Sequence, residues 1–384
     1  MTGAAVVPNA SAVSVESVTD RHGLKRFLKV PYLVHGDDPT WVPPILSMER
    51  RRLTPGNGPF FRIGEAQLFV AMRGGEPVGR ISAQINRHHL ATHNDGAGHF
   101  GFFDCIDDQA VAHLLVEAAA AWLRARGSSR MLGPFNFSVN EECGLQIDGF
   151  DTAPAVFMTQ ARPWTAALLE NEGLVKEMDL LAYRVDPSNI GKRMRRLTEK
   201  AHLTTRITMR PPDMSRRDEE LALLVDIFND SWSGNWGFSP LSVKEVEDLL
   251  GGFTRFIRGH FARFIMLDGV PMGVMGFLPN YNEAVQKYGG KLFPLNWAHL
   301  LWSLMTDRFN SGRVVILGIR KEVQGTPIAG AMTALLIEEG RAETSRKYAW
   351  IEMGWVLESN KPMMRMCEMT GPPVKRYRIY GRPL

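Results

Sequence analysis

Leu68–Asn86 reads LFVAMRGGEPVGRISAQIN, and Arg263–Asn280 reads RFIMLDGVPMGVMGFLPN. Each is a strand, a glycine turn and a second strand. Pro77, Gly79 and Asn86 align without gaps with Pro271, Gly273 and Asn280. The Gly-x-Pro turn suits a tight hairpin, because glycine supplies unusual φ and proline fixes the neighbouring one. One hairpin met twice in a chain points to a duplicated unit.

The repetition continues outward in the same order. After each hairpin the sequence predicts a strand (Gly98–Ile106; Arg313–Ile319) and an Ala-rich helix (Asp108–Arg126; Pro327–Arg346). Another strand follows (Arg130–Phe137; Ala349–Leu357), then a closing helix that ends Glu170-Asn-Glu-Gly173 or Glu368-Met-Thr-Gly371. Both halves run on into a final strand carrying Tyr-Arg, Leu180–Arg184 and Lys375–Arg378. Strands interleaved with amphipathic helices place both halves in the α/β class, in its mixed α+β form, each half a mixed sheet flanked by helices. The expected division is a flexible segment 1–11, a first lobe 12–186, a connecting basic helix 187–202 and a second lobe 203–384.

With 384 residues, 45% hydrophobic and 22% charged, the chain can build two cores. Its net charge of +4 is carried in short clusters, Glu49–Arg52 and Lys192–Arg196, which read as solvated faces and not as a nucleic-acid stripe. Cys105, Cys143 and Cys367 are dispersed and odd in number, which fits a reducing cytosol. The first fifteen residues lack a basic start followed by an apolar run, so no signal peptide is expected. No window approaches about 18 uninterrupted apolar residues. Ala110–Leu123 comes nearest, broken by His113 and Glu117. The expected location is cytoplasmic, and any lipid contact would be peripheral, at the inner membrane. His88, His89 and His93 lie near Asp95 without a convergent ligand pattern, so no metal is expected. No Walker loop or kinase signature is present.

The strand-to-helix junctions decide the chemistry. In the second half the strand runs into Arg320-Lys-Glu-Val-Gln-Gly-Thr-Pro-Ile-Ala-Gly-Ala-Met332. A small-residue loop opening a helix presents unpaired N–H groups and the positive end of a dipole, which suits a pyrophosphate. Pro327 fits the first helical position. The matching junction of the first half, Asp107-Asp-Gln-Ala-Val-Ala112, carries two carboxylates and no glycine. Acid there caps a helix and repels a phosphate.

This second junction resembles the acyl-CoA loop of the GNAT acyltransferase superfamily, Gln/Arg-x-x-Gly-x-Gly/Ala, matched at Gln324 and Ala329 with Pro327 in place of the central glycine. The resemblance implies acyl-CoA as co-substrate, held by Gly318, Ile319, Gln324, Gly325, Thr326, Ile328, Ala329 and Gly330. It also implies Asn360 beside the pantetheine arm. The Tyr that often serves as acid in the following helix is absent from Met363–Met369. Pro39–Pro44, Gly133–Asn136, Asn229–Gly237 and Lys375–Tyr380 further resemble a group of tandem GNAT-like proteins that includes the bacterial ceramide synthases. That resemblance implies transfer of a fatty acyl group from acyl-CoA to a long-chain, sphingoid-type amine. A small or peptide-like amine, and a ligand-binding module without catalysis, remain the other readings.

Amide formation from a thioester needs help removing the amine's proton and donors for the oxyanion. Glu352 is a candidate base, or a carboxylate paired with an arginine. Asn280 and Glu283 end the second hairpin as further catalytic candidates, or as turn residues. Asp230, Trp232, Asn235 and Trp236 could form an aromatic wall with polar tips for the acceptor, or a capped turn. Asn140 and Glu141 in the first lobe are a second acceptor candidate, or an ordered loop.

Overall fold

Both repeated hairpins form, with the turn one step earlier than the Gly-x-Pro reading places it. The loops are Gly74-Gly75 and Asp268-Gly269, with φ of 57° and 85° in one and 50° and 80° in the other. Two successive left-handed residues match the twist of antiparallel strands. Pro77 and Pro271 instead lie inside the second strand, opposite Met72 and Met266, where the register steps over Val78 and Met272. Proline lacks an N–H, and a bulge is where a ladder tolerates that loss.

The computed structural model describes residues 12–188, 206–249, 262–344 and 347–384, with Lys192, Arg196, Thr198 and Glu199. The expected segment 1–11 and most of the expected helix 187–202 lie outside the described residues. The chain first forms β1 (Val13–Ser17), α1 (Arg21–His35), α2 (Leu46–Leu53), β2 (Gly64–Arg73), β3 (Glu76–Asn86), α3 (Arg87–His93), β4 (Ala97–Cys105) and α4 (Gln109–Arg124). There follow β5 (Arg130–Gly133), β6 (Phe135–Asn136), β7 (Glu142–Cys143), β8 (Leu145–Asp148), α5 (Thr165–Glu170) and β9 (Val175–Val185). Next come β10 (Ile207–Arg210), α6 (Arg217–Trp232), α7 (Val243–Leu249), β11 (Ala262–Leu267), β12 (Val270–Pro279), α8 (Asn282–Lys287) and α9 (Asn296–Thr306). The last elements are β13 (Ser311–Ile319), α10 (Pro327–Thr344), β14 (Trp350–Leu357), α11 (Lys361–Cys367) and β15 (Lys375–Pro383).

These elements make two compact units. The first holds residues 1–152, 159–177 and 378–384, the second 153–158 and 178–377. In the first unit β1, β2, β3 and β4 pair antiparallel in that order. There β5 runs parallel to β4, and residues 380–383 run antiparallel to β5. In the second unit β10, β11, β12 and β13 pair antiparallel, β14 runs parallel to β13, and residues 180–185 run antiparallel to β14. The two pairing schemes are identical, as the repeat requires. Each unit, however, takes its last strand from the other half of the sequence. Tyr183 and Tyr380 are register equivalents, opposite Met353 and Gly133.

Helices cover both faces of each sheet. In the first unit α4 buries Val111, Ala112, Leu115, Val116, Ala119, Ala120 and Leu123 on one stripe, against Ile81, Ala83 and Phe100. Each larger side chain of that kind contributes about 1.5–3 kcal/mol. Asp108 caps the helix, its Oδ1 accepting from the amides of Ala110 and Val111 at 2.9 and 3.4 Å. On the other face Phe27, Val30 and Phe60 of α1 and its neighbours pack on Leu68 and Val70. In the second unit α10 covers Ile265, Met275 and Ile319, while Ile227 of α6 packs on Phe264 and Val274.

The last strand is a structural part of the first unit. Tyr380 is fully buried and donates to Glu170 at 2.9 Å, and Arg382 donates to the Glu172 carbonyl at 2.8 Å. Tyr380→Ala should therefore destabilise by about 3–5 kcal/mol, as large-to-small changes of buried aromatics do. Hydrogen exchange should show the lost protection in β4 and β5. Unchanged exchange there would refute this role for the strand.

Candidate functional site

In the second unit the ladder between β13 and β14 consists of four pairs, from Ser311–Trp350 to Val314–Met353, and then stops. Beyond it the strands diverge. On its other edge β13 carries a bulge: Gly276 pairs with Ile316 and Phe277 with Val314, so the register steps over Val315. From Val315 to Ile319 the edge of β13 that faces β14 has no strand partner among the described residues. Main-chain donors in such a gap need another acceptor.

The loop after β13 closes one end of this opening, and the side chains of Arg320, Gln324 and Thr326 are turned back onto the protein, while Lys321 and Glu322 are exposed. Gln324 donates to the carbonyls of Ile319 and Ser231 at 2.7 and 3.0 Å. Thr326 donates to the Val323 carbonyl at 2.6 Å and accepts from the Ala329 amide at 3.3 Å. The Lys321 amide donates to Asp230 at 2.9 Å, and Arg320 is paired with Asp226. What faces outward is main chain at the start of an 18-residue helix. Gly325 has a φ of 76°, and a Cβ at either Gly325 or Gly330 would meet nothing within 4 Å. An open, small-residue helix start fits a pyrophosphate.

Gly318 and Ile319 serve this end differently. A Cβ at Gly318 would lie 2.5 Å from Ser231 Oγ and 3.4 Å from Trp232 Nε1, so the glycine lets α6 approach. Ile319 is buried beneath α10, and Ile328 and Ala329 pack at the edge of that cluster. Asp230 and Trp232 thus meet the loop, and Asn235 and Trp236 lie in the turn that follows α6, where the Asn235 amide donates to the Trp232 carbonyl at 2.8 Å. Asn360 caps α11, accepting from the Met363 amide at 3.2 Å.

The other end of the opening is charged and buried. Glu352 stands opposite Arg313 on one side and Arg184 on the other. It is 0% exposed, and neither carboxylate oxygen has a hydrogen-bond partner among the described residues. Arg184 Nε lies 3.9 Å away. Arg313 instead donates to the carbonyls of Gly354 at 2.8 Å and Val156 at 2.7 Å, and stacks over Trp355. Arg184 donates to the Ala153 carbonyl at 3.2 Å and stacks over Trp350. The Tyr377 hydroxyl and the Trp355 indole N–H are also buried here without a hydrogen-bond partner among the described residues. Burial pushes the Glu352 carboxyl up, against the pull of Arg313, Arg184 and Lys375. Burial likewise raises the Tyr377 phenol well above its ordinary value, with Glu352 adding to the effect. A buried carboxylate that accepts no hydrogen bond is costly, and it is poised to take a proton.

Asn280, just after β12, and Glu283, in α8, meet Ser311, two residues before Arg313 on β13. Asn280 Nδ2 donates to Ser311 Oγ at 3.0 Å, and Glu283 accepts from Ser311 Oγ at 2.5 Å and from the Asn310 amide at 3.0 Å. The three side chains tie the end of β12 to the start of β13. The sequence reading named Glu352 but none of Arg313, Arg184 and Tyr377, which the structure places around it. The only signal for two of these was the Tyr-Arg pair repeated in the final strands.

The first unit has the same splay and fills it. Its parallel ladder ends at His99–Leu132, and Asn136 Oδ1 accepts from the Phe102 amide at 2.7 Å, just past that point. A Cβ at Gly101 would lie 1.8 Å from the Phe135 carbonyl oxygen, so β6 lies directly against β4. The row that reads Arg313, Glu352 and Arg184 in the second unit reads His99, Leu132 and Gly381 here. Glu141 belongs to a buried cluster around Arg52, which reaches Glu141 at 2.9 Å, Glu142 at 3.2 Å and the Asn136 carbonyl at 2.6 Å. Burial, opposed by Arg52 and reinforced by Glu142 and Glu49, pushes Glu141 up to about 7. Asn140 lies in the same turn, its amide donating to Ser138 Oγ at 3.2 Å.

Among the described residues no group of three or more His, Cys, Asp or Glu side chains could hold a metal ion. The three cysteines are buried and unbridged. Burial pushes Cys105 and Cys367 up to about 12, which disfavours the thiolate a nucleophile needs.

No family model matches the chain. It is 39% identical over 375 residues to the bacterial ceramide synthase of Caulobacter vibrioides (strain NA1000 / CB15N), covering 97% of this chain and 98% of that one. It is 36% identical over 374 residues to the protein YghO of Escherichia coli (strain K12), covering 96% and 95%. Among solved structures, a tandem GNAT protein from the clavulanic acid biosynthesis pathway superposes with a TM-score of 0.55 at 11% identity, covering 97% and 98%. That likeness establishes the tandem GNAT fold.

If the loop receives a pyrophosphate, Gly330→Glu should fold, because the space is open, and should weaken coenzyme A binding. A loss of about ten-fold or more, roughly 1.4 kcal/mol, is expected by calorimetry. Gly330→Ala should stay near wild type. Equal affinity of the Glu variant would refute the assignment.

Proposed function

The chain belongs to the family of the bacterial ceramide synthase, and from that premise we propose that it is an N-acyltransferase that moves a fatty acyl group from acyl-CoA to a long-chain, sphingoid-type amine. The observation that carries this reading is the open splay of β13 and β14, which has a phosphate-compatible loop at one end and, at the other, a buried Glu352 that accepts no hydrogen bond among the described residues. Arg313 and Arg320 are seven residues apart on an extended strand, roughly 23 Å at about 3.3 Å per residue. The pantetheine arm lies along that gap. The bare main chain at the Val315 bulge faces the thioester carbonyl and supports its developing oxyanion.

The reaction is direct. The amine nitrogen attacks the thioester carbon, the C–N bond forms and the C–S bond breaks. Glu352 takes the proton shed by the nitrogen, and the departing thiolate leaves protonated as free coenzyme A. The proton taken by Glu352 is the one the thiolate receives, and the buried Tyr377 hydroxyl, which interacts with Glu352, is a candidate to relay it. It would serve as the acid absent from Met363–Met369. Arg313 and Arg184 flank Glu352 with positive charge, and their hydrogen bonds to the Val156 and Ala153 carbonyls hold the segment 153–158 in place. A lipid-like acceptor also accounts for peripheral contact at the inner membrane.

The test is release of free thiol from long-chain acyl-CoA offered with a panel of amines. Release with sphingoid amines alone is expected; release with small amines only would move the acceptor to a peptide-like or small amine. Glu352 acts as carboxylate, and burial raises its pKa, so kcat/KM should fall as pH drops through a value above the ordinary carboxylate range. Glu352→Gln should lower kcat by about 10²–10⁴ and abolish that limb. A variant within a few-fold of wild type, or coenzyme A binding without thiol release for any amine, would overturn the mechanism.

A further inference from the structure

Between Glu283 and Asp307 the chain has no acidic residue, and it reads Ala-Val-Gln-Lys-Tyr-Gly-Gly-Lys-Leu-Phe-Pro-Leu-Asn-Trp-Ala-His-Leu-Leu-Trp-Ser-Leu-Met-Thr. This stretch joins β12 to β13 at the end of the sheet where Ser311 and Arg313 lie, away from the 320–326 loop. Helix α9 turns Leu300 and Ser303 inward. Its opposite face, with the turn before it, is apolar and uncovered. Phe293 is 71% exposed, Leu295 74%, Trp297 47%, Trp302 44% and Met305 48%. A helix apolar on both faces is expected in a core, not at a water surface. Scattered exposed apolar residues need no explanation, but five large ones in thirteen consecutive positions form a patch.

The local polar groups are arranged to leave that patch apolar. The Trp297 indole N–H donates to the Pro294 carbonyl at 3.0 Å, and Asn296 donates to the Lys291 carbonyl at 2.8 Å. The two flanking carboxylates also point inward: Glu283 holds Ser311, and Asp307 is paired with Lys347 and Tyr348. Exposed Lys287, Lys291 and Arg308 remain around the rim, Arg308 stacked over Trp302 at 4.1 Å. At 11 residues α9 is about 16 Å long, half the hydrocarbon core of a bilayer, so it cannot span one. Tryptophan, aliphatic tips and a basic rim with no acid are the chemistry of a segment that lies in an anionic lipid interface.

We propose that residues 287–308 are a lipid-docking surface that seats the second unit on an anionic leaflet. The basic rim meets the headgroups, and Phe293, Leu295, Trp297 and Trp302 enter the acyl boundary. Exposure and charge alone define this surface. If the acyl-transfer reading also holds, the surface lies at the Glu352 end of the splay, where a lipid amine would enter.

The experiment is co-sedimentation of the full chain, without acyl-CoA, with vesicles of pure phosphatidylcholine or of phosphatidylcholine containing phosphatidylglycerol. Brominated lipids report tryptophan insertion. Partitioning at least about ten-fold stronger onto the anionic vesicles, with bromine quenching, is expected. The triple variant F293S/L295S/W302S should lose it about ten-fold or more with unchanged circular dichroism. Lys287→Glu with Lys291→Glu should lose the preference for anionic lipid. Absence of vesicle binding, binding equal in the triple variant, or a dimer that the triple variant converts to monomer would each overturn the proposal. Vesicle binding is read independently of turnover, so failure of acyl transfer leaves this test intact, and the reverse.

Discussion

The parallel pair of β13 and β14 can share only four rungs, and the rest of the second unit is built around that limit. Once the register fails after Val314–Met353, the main chain of β13 runs on with one edge unpaired. Such an edge must be covered, hydrated or occupied, because each unmade backbone hydrogen bond costs free energy in a buried place. The bulge at Val315 is part of the same arrangement, since it turns the following residues without ending their ladder to β12. The helix α10 and the loop before it then close the wide end of the splay, while Glu352 sits at the narrow end, beside its last rungs.

The first unit is the internal control. It inherits the splay and resolves it with its own chain: Asn136 accepts from the Phe102 amide, and β6 lies against Gly101 where no side chain would fit. The stretch that is open in the second unit is here occupied by the chain's own β6. The same unit replaces the glycine loop with Asp108, a good helix cap and a poor neighbour for a phosphate. Arg313, Glu352 and Arg184 have no charged counterpart at the equivalent positions, so that row is not a requirement of the fold. Duplication supplied two similar frames, and the side chains at a handful of positions made one of them a plug and the other an opening.

The repeat was legible because its markers answer local constraints. Gly79, Gly273, Asn86 and Asn280 sit at positions set by close packing and by the strand ends, and no change in distant structure moves them. The phosphate-compatible loop was legible for the same reason, although Gln324, read there as a ligand group, holds the loop to Ile319 and Ser231. The exchange of final strands was not legible. Leu180–Arg184 and Lys375–Arg378 look alike, and which sheet a strand joins depends on topology that no local pattern encodes. Arg313, Arg184 and Tyr377 were missed because they come from three strands distant in sequence and meet only through register. The Asn229–Gly237 segment reads as an aromatic wall, yet Asp230 and Ser231 are used on the loop, a contact visible only once α6 is placed.

Chemistry and polarity run along one axis of the second unit. The loop end suits a phosphate in its helix dipole and open backbone, and there Asp226 is paired with Arg320 and Asp230 accepts from the Lys321 amide, while Glu322 is exposed. A proton acceptor belongs where burial raises its pKa, and Glu352 meets that condition beside the last rungs of the splay. The apolar connection between β12 and β13 follows from the same order. It emerges beside Ser311, at the narrow end, and its exposed face carries five large apolar side chains. A water-soluble acyl donor and a membrane-borne amine have opposite solubilities, and an enzyme that joins them needs entrances of opposite character. Set at the two ends of β13, those entrances would let each substrate reach the thioester carbon without crossing the other's path.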